Sequence, residues 1–246
     1  MLDALLLVST AAFILVGGIV GIRLLRLAVR TRELSDFLVG FALFDLAAVA
    51  YPLILVGTQL DLSLEAAKLS STLSMLTMAA GWAAVFVFTQ RVFRPGEKWA
   101  MALAAAGVAM VLYGLVGGIV HVQEAADRAT LRSPLSRALW MQYASVMVYA
   151  WSAVEGFHCW AQAKKRLRLG LADAMVVNRF LLWGCVGIAS LLSIVPSLVI
   201  TLAGGDAFAS VPARLCTALG GLFASLALQL AFLPPAAYRR WVTASA

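Results

Sequence analysis

A bundle of seven membrane-crossing helices, N-terminus outside and C-terminus cytoplasmic, is the fold class that this sequence predicts. Three observations predict it. First, seven apolar stretches starting near Ala4, Phe37, Leu69, Trp99, Ala138, Asn178 and Leu215 fill almost all of the 246 residues. Each approaches the ~20 residues that a ~30 Å hydrocarbon layer requires at ~1.5 Å per residue. Second, apolar residues make up 63% of the chain and charged residues 13%, against roughly half and a quarter in a soluble domain. Third, basic residues are rich and poor by turns from one connection to the next.

The first, third and fifth connections and the C-terminal end hold Arg23, Arg26, Arg30 and Arg32, then Arg91, Arg94 and Lys98, then Lys164, Lys165, Arg166, Arg168 and Arg179, and finally Arg239 and Arg240. The intervening connections keep only Lys68, Arg128, Arg132, Arg137 and Arg214 of the 19 basic residues. Short cytoplasmic loops carry the Lys/Arg excess, so the rich side is the inside. The net charge of +7 is thus a topology signal and a contact for anionic lipid, and nucleic acid is not an expected partner. The location that follows is the plasma membrane, a bacterial inner membrane.

The expected helices span 4–29, 37–59, 69–90, 99–120, 138–163, 178–203 and 215–233, with 1–246 as one transmembrane domain. In the first, Met1-Leu2-Asp3 offers no basic region and the charges follow the apolar run. That order predicts a retained helix inserted N-terminus outward, not a cleaved signal peptide. Its end predicts a continuation into the cytosol, with Arg23, Arg26 and Arg30 on one face and Leu24, Leu25 and Ala28 on the other. The second helix contains Asp45 and Pro52, and the third a stripe of Ser70, Ser74, Thr77 and Gly81. With Gly17-x-x-x-Gly21 and Gly114-x-x-x-Gly118, these small residues mark seams where backbones approach closely in lipid. Pro95-Gly96 turns the chain into the fourth helix. The longest connection, His121 to Arg137, is expected outside, with a short interfacial helix over Gln123–Arg128 that Ser133-Pro134 stops.

A faint internal repeat links the ends of the chain. Gln90-x-x-Phe93-x-Pro95 returns 139 residues later as Gln229-x-x-Phe232-x-Pro234, and the helix before each contains a proline, Pro52 and Pro196. Helices one to three and five to seven would then be parallel repeats, with the fourth as linker.

Ionisable groups deep in a membrane are costly and usually face the bundle interior. Two acids lie at such depth, Asp45 and Glu155. Each is eight residues, roughly 12 Å, from the cytoplasmic end of its helix. On the fifth helix Tyr143, Met147, Trp151, Glu155, His158 and Gln162 recur at steps of three or four and form one stripe. Tyr143, Met147, Trp151, Glu155 and His158 are the candidate ligand-facing residues, closed across the bundle by Asp45. A carboxyl one turn from an imidazole makes a pH-responsive pair. The competing reading is a set of interhelical hydrogen bonds, with the acids satisfied by hydroxyls, Asn178, Arg179 or Gln90.

Several chemistries are set aside. The lysines are Lys68, Lys98, Lys164 and Lys165, none inside an expected helix, so no residue carries a Schiff base there. His121 and His158 lie at opposite depths, and no His/Cys/carboxylate cluster has metal spacing. Cys159, Cys185 and Cys216 are an odd, lipid-embedded set with no Cys-x-x-Cys pair. Phosphate-loop, G-x-S-x-G and H-E-x-x-H motifs are missing. No catalytic residue, metal or cofactor is therefore expected.

The expected function is a receptor-like sensor or transducer that couples a small-molecule ligand or membrane signal to a cytoplasmic protein partner. Arg26, Arg30, Arg91, Arg94, Lys164, Lys165, Arg166 and Arg168 would form its docking surface. The alternative is a small-solute transporter of 3+1+3 helix design, hinged at the two prolines. A scaffold or assembly subunit of a membrane complex is the third reading.

Overall fold

The structure, a computed structural model, describes residues 1–132, 139–207 and 209–244. Among them every regular element is a helix. These are α1 (Leu2–Thr31), α2 (Leu34–Phe44), a π-helical segment (Asp45–Ala50), α3 (Tyr51–Gln59), α4 (Leu64–Phe93), α5 (Lys98–Glu124), α6 (Arg128–Arg132), α7 (Leu139–Arg168), α8 (Ala174–Leu202), α9 (Val211–Phe232) and α10 (Ala236–Ala244). Six helices are long and apolar enough to cross a membrane: Leu2–Thr31, Leu34–Gly57, Leu64–Phe93, Lys98–Glu124, Ala174–Leu202 and Val211–Phe232. The stretch expected as the fifth span forms α7, a helix of 30 residues, which its composition keeps outside that set. Polar residues on both sides lower its hydropathy: Ser145, Ser152 and Glu155 are buried, and Gln142, His158 and Gln162 are exposed. The expected short helix of the long connection forms as α6, later than Gln123–Arg128, because α5 runs on to Glu124. Ser133, Pro134 and Arg137 lie outside the described residues.

The chain forms two compact units, Gly17–Val148 and Met1–Val16 with Tyr149–Ala246. In the first, α1 meets α2 through glycine: a Cβ at Gly21 would lie 2.6 to 2.8 Å from Phe44 N, Cβ and Cα, and one at Gly40 would strike Leu24 and Leu25. The next seam sets α4 on the π segment at Gly81, where a Cβ would be 2.6 Å from Leu46 and 2.8 Å from Asp45 Oδ2. Farther along, the Ser70 hydroxyl donates to Leu53 O at 2.7 Å. Phe86 of α4, fully buried, fills the space left by Gly107 of α5. Gly114 brings α5 against the backbone of Met141 at the start of α7. At the opposite rim from Arg91 and Lys98, Arg128 reaches the carbonyls of Leu60 and Leu62 and pairs with Asp61 at 3.1 Å, while Lys68 donates to Gln123 O.

In the second unit, Gly156 and Gly184 bring α7 and α8 together, and Gly187 lies against Ala153 and Tyr149 O. Gly220 sets α9 on Ala189 and Ser193 of α8. The start of α1 packs on α9 through Ser9 and Gly221, and Asp3 pairs with Arg214. In a hydrocarbon solvent apolar side chains gain nothing by meeting, so close backbone approach at such seams supplies the contact energy.

The helix triplets α1–α2/α3–α4 and α7–α8–α9 run in parallel detail. In each, a glycine of the middle helix meets the first helix: Gly40 on Leu24 and Leu25, Gly184 on Gly156 and Phe157. In each, a glycine of the third helix meets the middle one: Gly81 on Asp45 and Leu46, Gly220 on Ala189 and Ser193. The third helices even end alike. Gln90 O accepts from Arg94 N–H at 3.0 Å and Gln229 O from Leu233 N–H at 2.7 Å, with a proline next that cannot continue the helix.

The middle helices differ. Pro52 lacks the N–H that a helix needs. Ahead of it the hydrogen bonds lengthen their reach, Tyr51 N–H bonding Leu46 O five residues back. A π segment is the usual form of such an insertion. Pro196 sits inside α8 with no break in the helix.

Candidate functional site

Helix α7 turns Ala144, Ser145, Val148, Trp151, Ser152 and Glu155 inward. Trp151 and Glu155 are one turn apart, and Trp151 Nε1–H donates to Glu155 Oε1 at 3.2 Å. Glu155 is only 2% exposed. An indole donor on a carboxylate is an electrostatically favourable way to keep that group out of water. Tyr143 and Met147 are half-buried on the same helix. Tyr143 stacks edge-on with Trp140, which does the same with Tyr113 of α5, at 6.0 and 5.7 Å.

His158 is set apart from this group. It is exposed, and its Nε2 lies 2.8 Å from Gln162 Nε2. The buried carboxyl of Glu155 and the exposed imidazole do not form the expected pair. The Ser145 hydroxyl donates back to Gln142 O at 2.7 Å, a local bond that satisfies it without help from another helix.

Asp45 opens the π segment and is 5% exposed. The backbone of Gly81 is within reach of its carboxyl, yet Oδ2 makes no hydrogen bond of sound geometry among the described residues. The partners expected for it are engaged elsewhere. Gln90 Nε2–H donates to Arg94 O, Arg179 Nε–H to Ala231 O, and Asn178 bonds Tyr238. Asp45 and Glu155 fall in different compact units.

The basic residues gather at helix ends. Arg26, Arg30 and Arg91 are exposed, as are Lys164, Lys165, Arg166 and Arg168. Arg94 lies over the Trp99 ring at 5.6 Å and Lys164 over Trp160 at 5.0 Å. Arg23, Arg26 and Arg30 share the exposed side of α1, with Leu24 and Ala28 buried, as the sequence pattern requires.

One arrangement escaped sequence reasoning. After Pro234-Pro235 the chain forms α10, which returns to α8. Asn178 Nδ2–H donates to the Tyr238 hydroxyl at 3.0 Å, and that hydroxyl donates to Asn178 Oδ1 at 3.2 Å, alternative directions of one close contact. Trp183 meets Phe232 edge-on at 6.4 Å. Val242 is buried while Arg239, Arg240 and Trp241 are exposed, Trp241 at 64%. The signal was the Tyr-Arg-Arg-Trp run itself, an amphipathic turn too short to stand out by hydropathy.

No family model matches the chain, and no curated protein or solved structure matches it. Among the described residues no group of three or more His, Cys, Asp or Glu stands together as a metal site. The described residues offer a buried Trp–Glu pair, a second buried acid, and exposed basic residues at the helix ends and on α10.

Proposed function

We propose that the chain is a receptor-like sensor or transducer of the plasma membrane, a bacterial inner membrane, in which α7 also crosses, as the fifth of seven spans. At ~1.5 Å per residue, its 30 residues reach roughly 45 Å. Its central acid Glu155 is turned inward, and the exposed Gln142, His158 and Gln162 lie toward its two ends. The N-terminus lies outside and the basic helix ends lie inside.

The observation that carries this reading is the fastening of α10 to α8. Tyr238 and Asn178, with Arg179 on Ala231 O, tie α10 and the end of α9 to the start of α8. Any shift of α8 against α9 is then delivered to Arg239, Arg240 and Trp241, where an acidic partner can read it. Trp151, Glu155 and the neighbouring Tyr143 and Met147 are the residues proposed to face a small ligand, and the exposed basic residues of α1, α4 and α7 complete the docking surface.

The test is hydrogen exchange on the full chain in lipid nanodiscs. Small molecules are first screened by thermal shift. A stabilising compound should change exchange at 236–244, and Trp151→Ala should abolish its binding. A saturable flux of that compound into proteoliposomes would overturn the sensor reading.

One observation favours a second reading, a small-solute transporter of 3+1+3 design. The two helix triplets share their seams, their prolines and their helix endings. In such a carrier both Pro52→Ala and Pro196→Ala should lower flux.

A further inference from the structure

We propose that Asp45 is a monovalent-cation site, its charge compensated in the seam between the π segment and α4 by a bound proton or sodium ion. The inference does not depend on which function the bundle serves.

The first ground is burial without a compensating charge. Asp45 is 5% exposed and its Oδ2 has no hydrogen-bond partner among the described residues. An ionised carboxylate in such surroundings is strongly disfavoured unless a positive charge accompanies it. No side chain of its own unit supplies one. On α4 the charged residues are Glu65, Lys68 and Arg91, and Gly81, which faces Asp45, is ten residues or more from each. On α1, Arg23, Arg26 and Arg30 are exposed, and on α2 Asp36 stands at the first turn, bonded to Thr31. None of them pairs with Asp45.

The second ground is a comparison that the molecule carries within itself. Gly40 and Gly184 are 144 residues apart, as are Pro52 and Pro196, and the same step takes Asp45 to Ala189. A step of 139 takes Gly81 to Gly220. The two partners meet again: Gly81 lies on Asp45, and Gly220 lies on Ala189. At the matching position α8 carries the methyl of Ala189 in place of the carboxyl, and the atoms nearest Gly220 there are the Ser193 hydroxyl and the Ala189 carbonyl. Packing does not require an acid here. What an acid adds to a seam that elsewhere closes on a hydroxyl and a carbonyl is the capacity to take and release a positive charge.

The reaction is simple to balance. In the proton case the carboxylate takes H⁺ from water and becomes a neutral acid whose O–H is a donor. In the sodium case Oδ2 coordinates the ion and no bond to hydrogen forms. Release of either leaves a bare charge against Gly81, where the missing Cβ holds the α4 backbone close. The seam must then admit water or part, so occupancy of the site reports on the contact between the π segment and α4.

The test uses the full chain in nanodiscs, with Asp45→Asn and Asp45→Ala beside the wild type. Melting temperature is read against pH, and against sodium exchanged for choline at constant ionic strength. Infrared spectra are recorded for the C=O stretch of a protonated carboxylic acid. In the proton case the wild type loses melting temperature as pH rises, both variants stay flat, and an acid band is lost in Asp45→Asn. In the sodium case the wild type gains melting temperature with sodium and the variants do not. Equal pH and sodium responses in all three proteins overturn the proposal. Should Asp45→Asn fail to fold, Asp45→Ala decides, since alanine already stands at position 189. Should neither variant fold, a wild type with no acid band and no sodium response overturns it.

Discussion

Single atoms at the glycine seams set how closely the helices approach. A methyl at Gly21 would sit 2.6 Å from the backbone nitrogen of Phe44, whereas one at Gly18 would meet only the Ala48 Cβ at 3.3 Å. Gly21→Ala should therefore destabilise the protein by about 1–3 kcal/mol, the usual cost of overpacking, and Gly18→Ala by much less. Unfolding in mixed micelles measures both. His158→Gln should leave any pH-dependent transition of the protein unchanged, because His158 is exposed beside Gln162 while Glu155 is buried against Trp151. A titration of intrinsic fluorescence in the two proteins checks it. The Trp151–Glu155 contact was legible in the sequence, since a spacing of four brings two side chains together on any helix. The fate of His158 was not. A helical period gives direction but not where the neighbouring helices stop covering it, and none of residues 157–168 is buried.

Whole elements follow hydropathy where their surroundings are uniform and depart from it where they are not. Six helices met a simple criterion of length and apolarity, and α7 did not, because buried Glu155 and exposed Gln142, His158 and Gln162 together lower its average. Pro52 and Pro196 looked equivalent as letters. Only one is preceded by a π segment, since the response of a helix to a missing N–H depends on what packs around it. The return of α10 to α8 was hidden for a related reason: Asn178 and Tyr238 are 60 residues apart and no local pattern joins them. Tyr238→Phe removes their hydrogen bond at a cost of about 1 kcal/mol. Amide exchange over 236–244 should quicken in that variant while α8 and α9 keep their protection.

At the scale of the molecule, orientation is the most direct expectation. Ala126 and Gly96 are both exposed, on connections that the basic residues assign to opposite sides. In cells, a cysteine introduced at Ala126 should react with an impermeant reagent added outside, and one at Gly96 should not. The reverse pattern would invert the topology. Composition made the all-helical build and its membrane-length helices legible without coordinates, and charge alternation supplies the orientation that this labelling tests. The division into two units was not legible, because it cuts through α1 and α7 instead of through a connection.

That division has a bearing on biogenesis. Residues 1–16 belong with Tyr149–Ala246, and Asp3 finds Arg214 only 211 positions later. At roughly 5–20 residues per second, the ribosome needs on the order of 10–40 s to deliver that partner. Through this interval Ser9 and Asp3 of α1 wait without the α9 residues they meet in the folded chain. The segment 1–16 is then open to insertion factors and membrane proteases, and a ribosome stalled before α9 would leave it so.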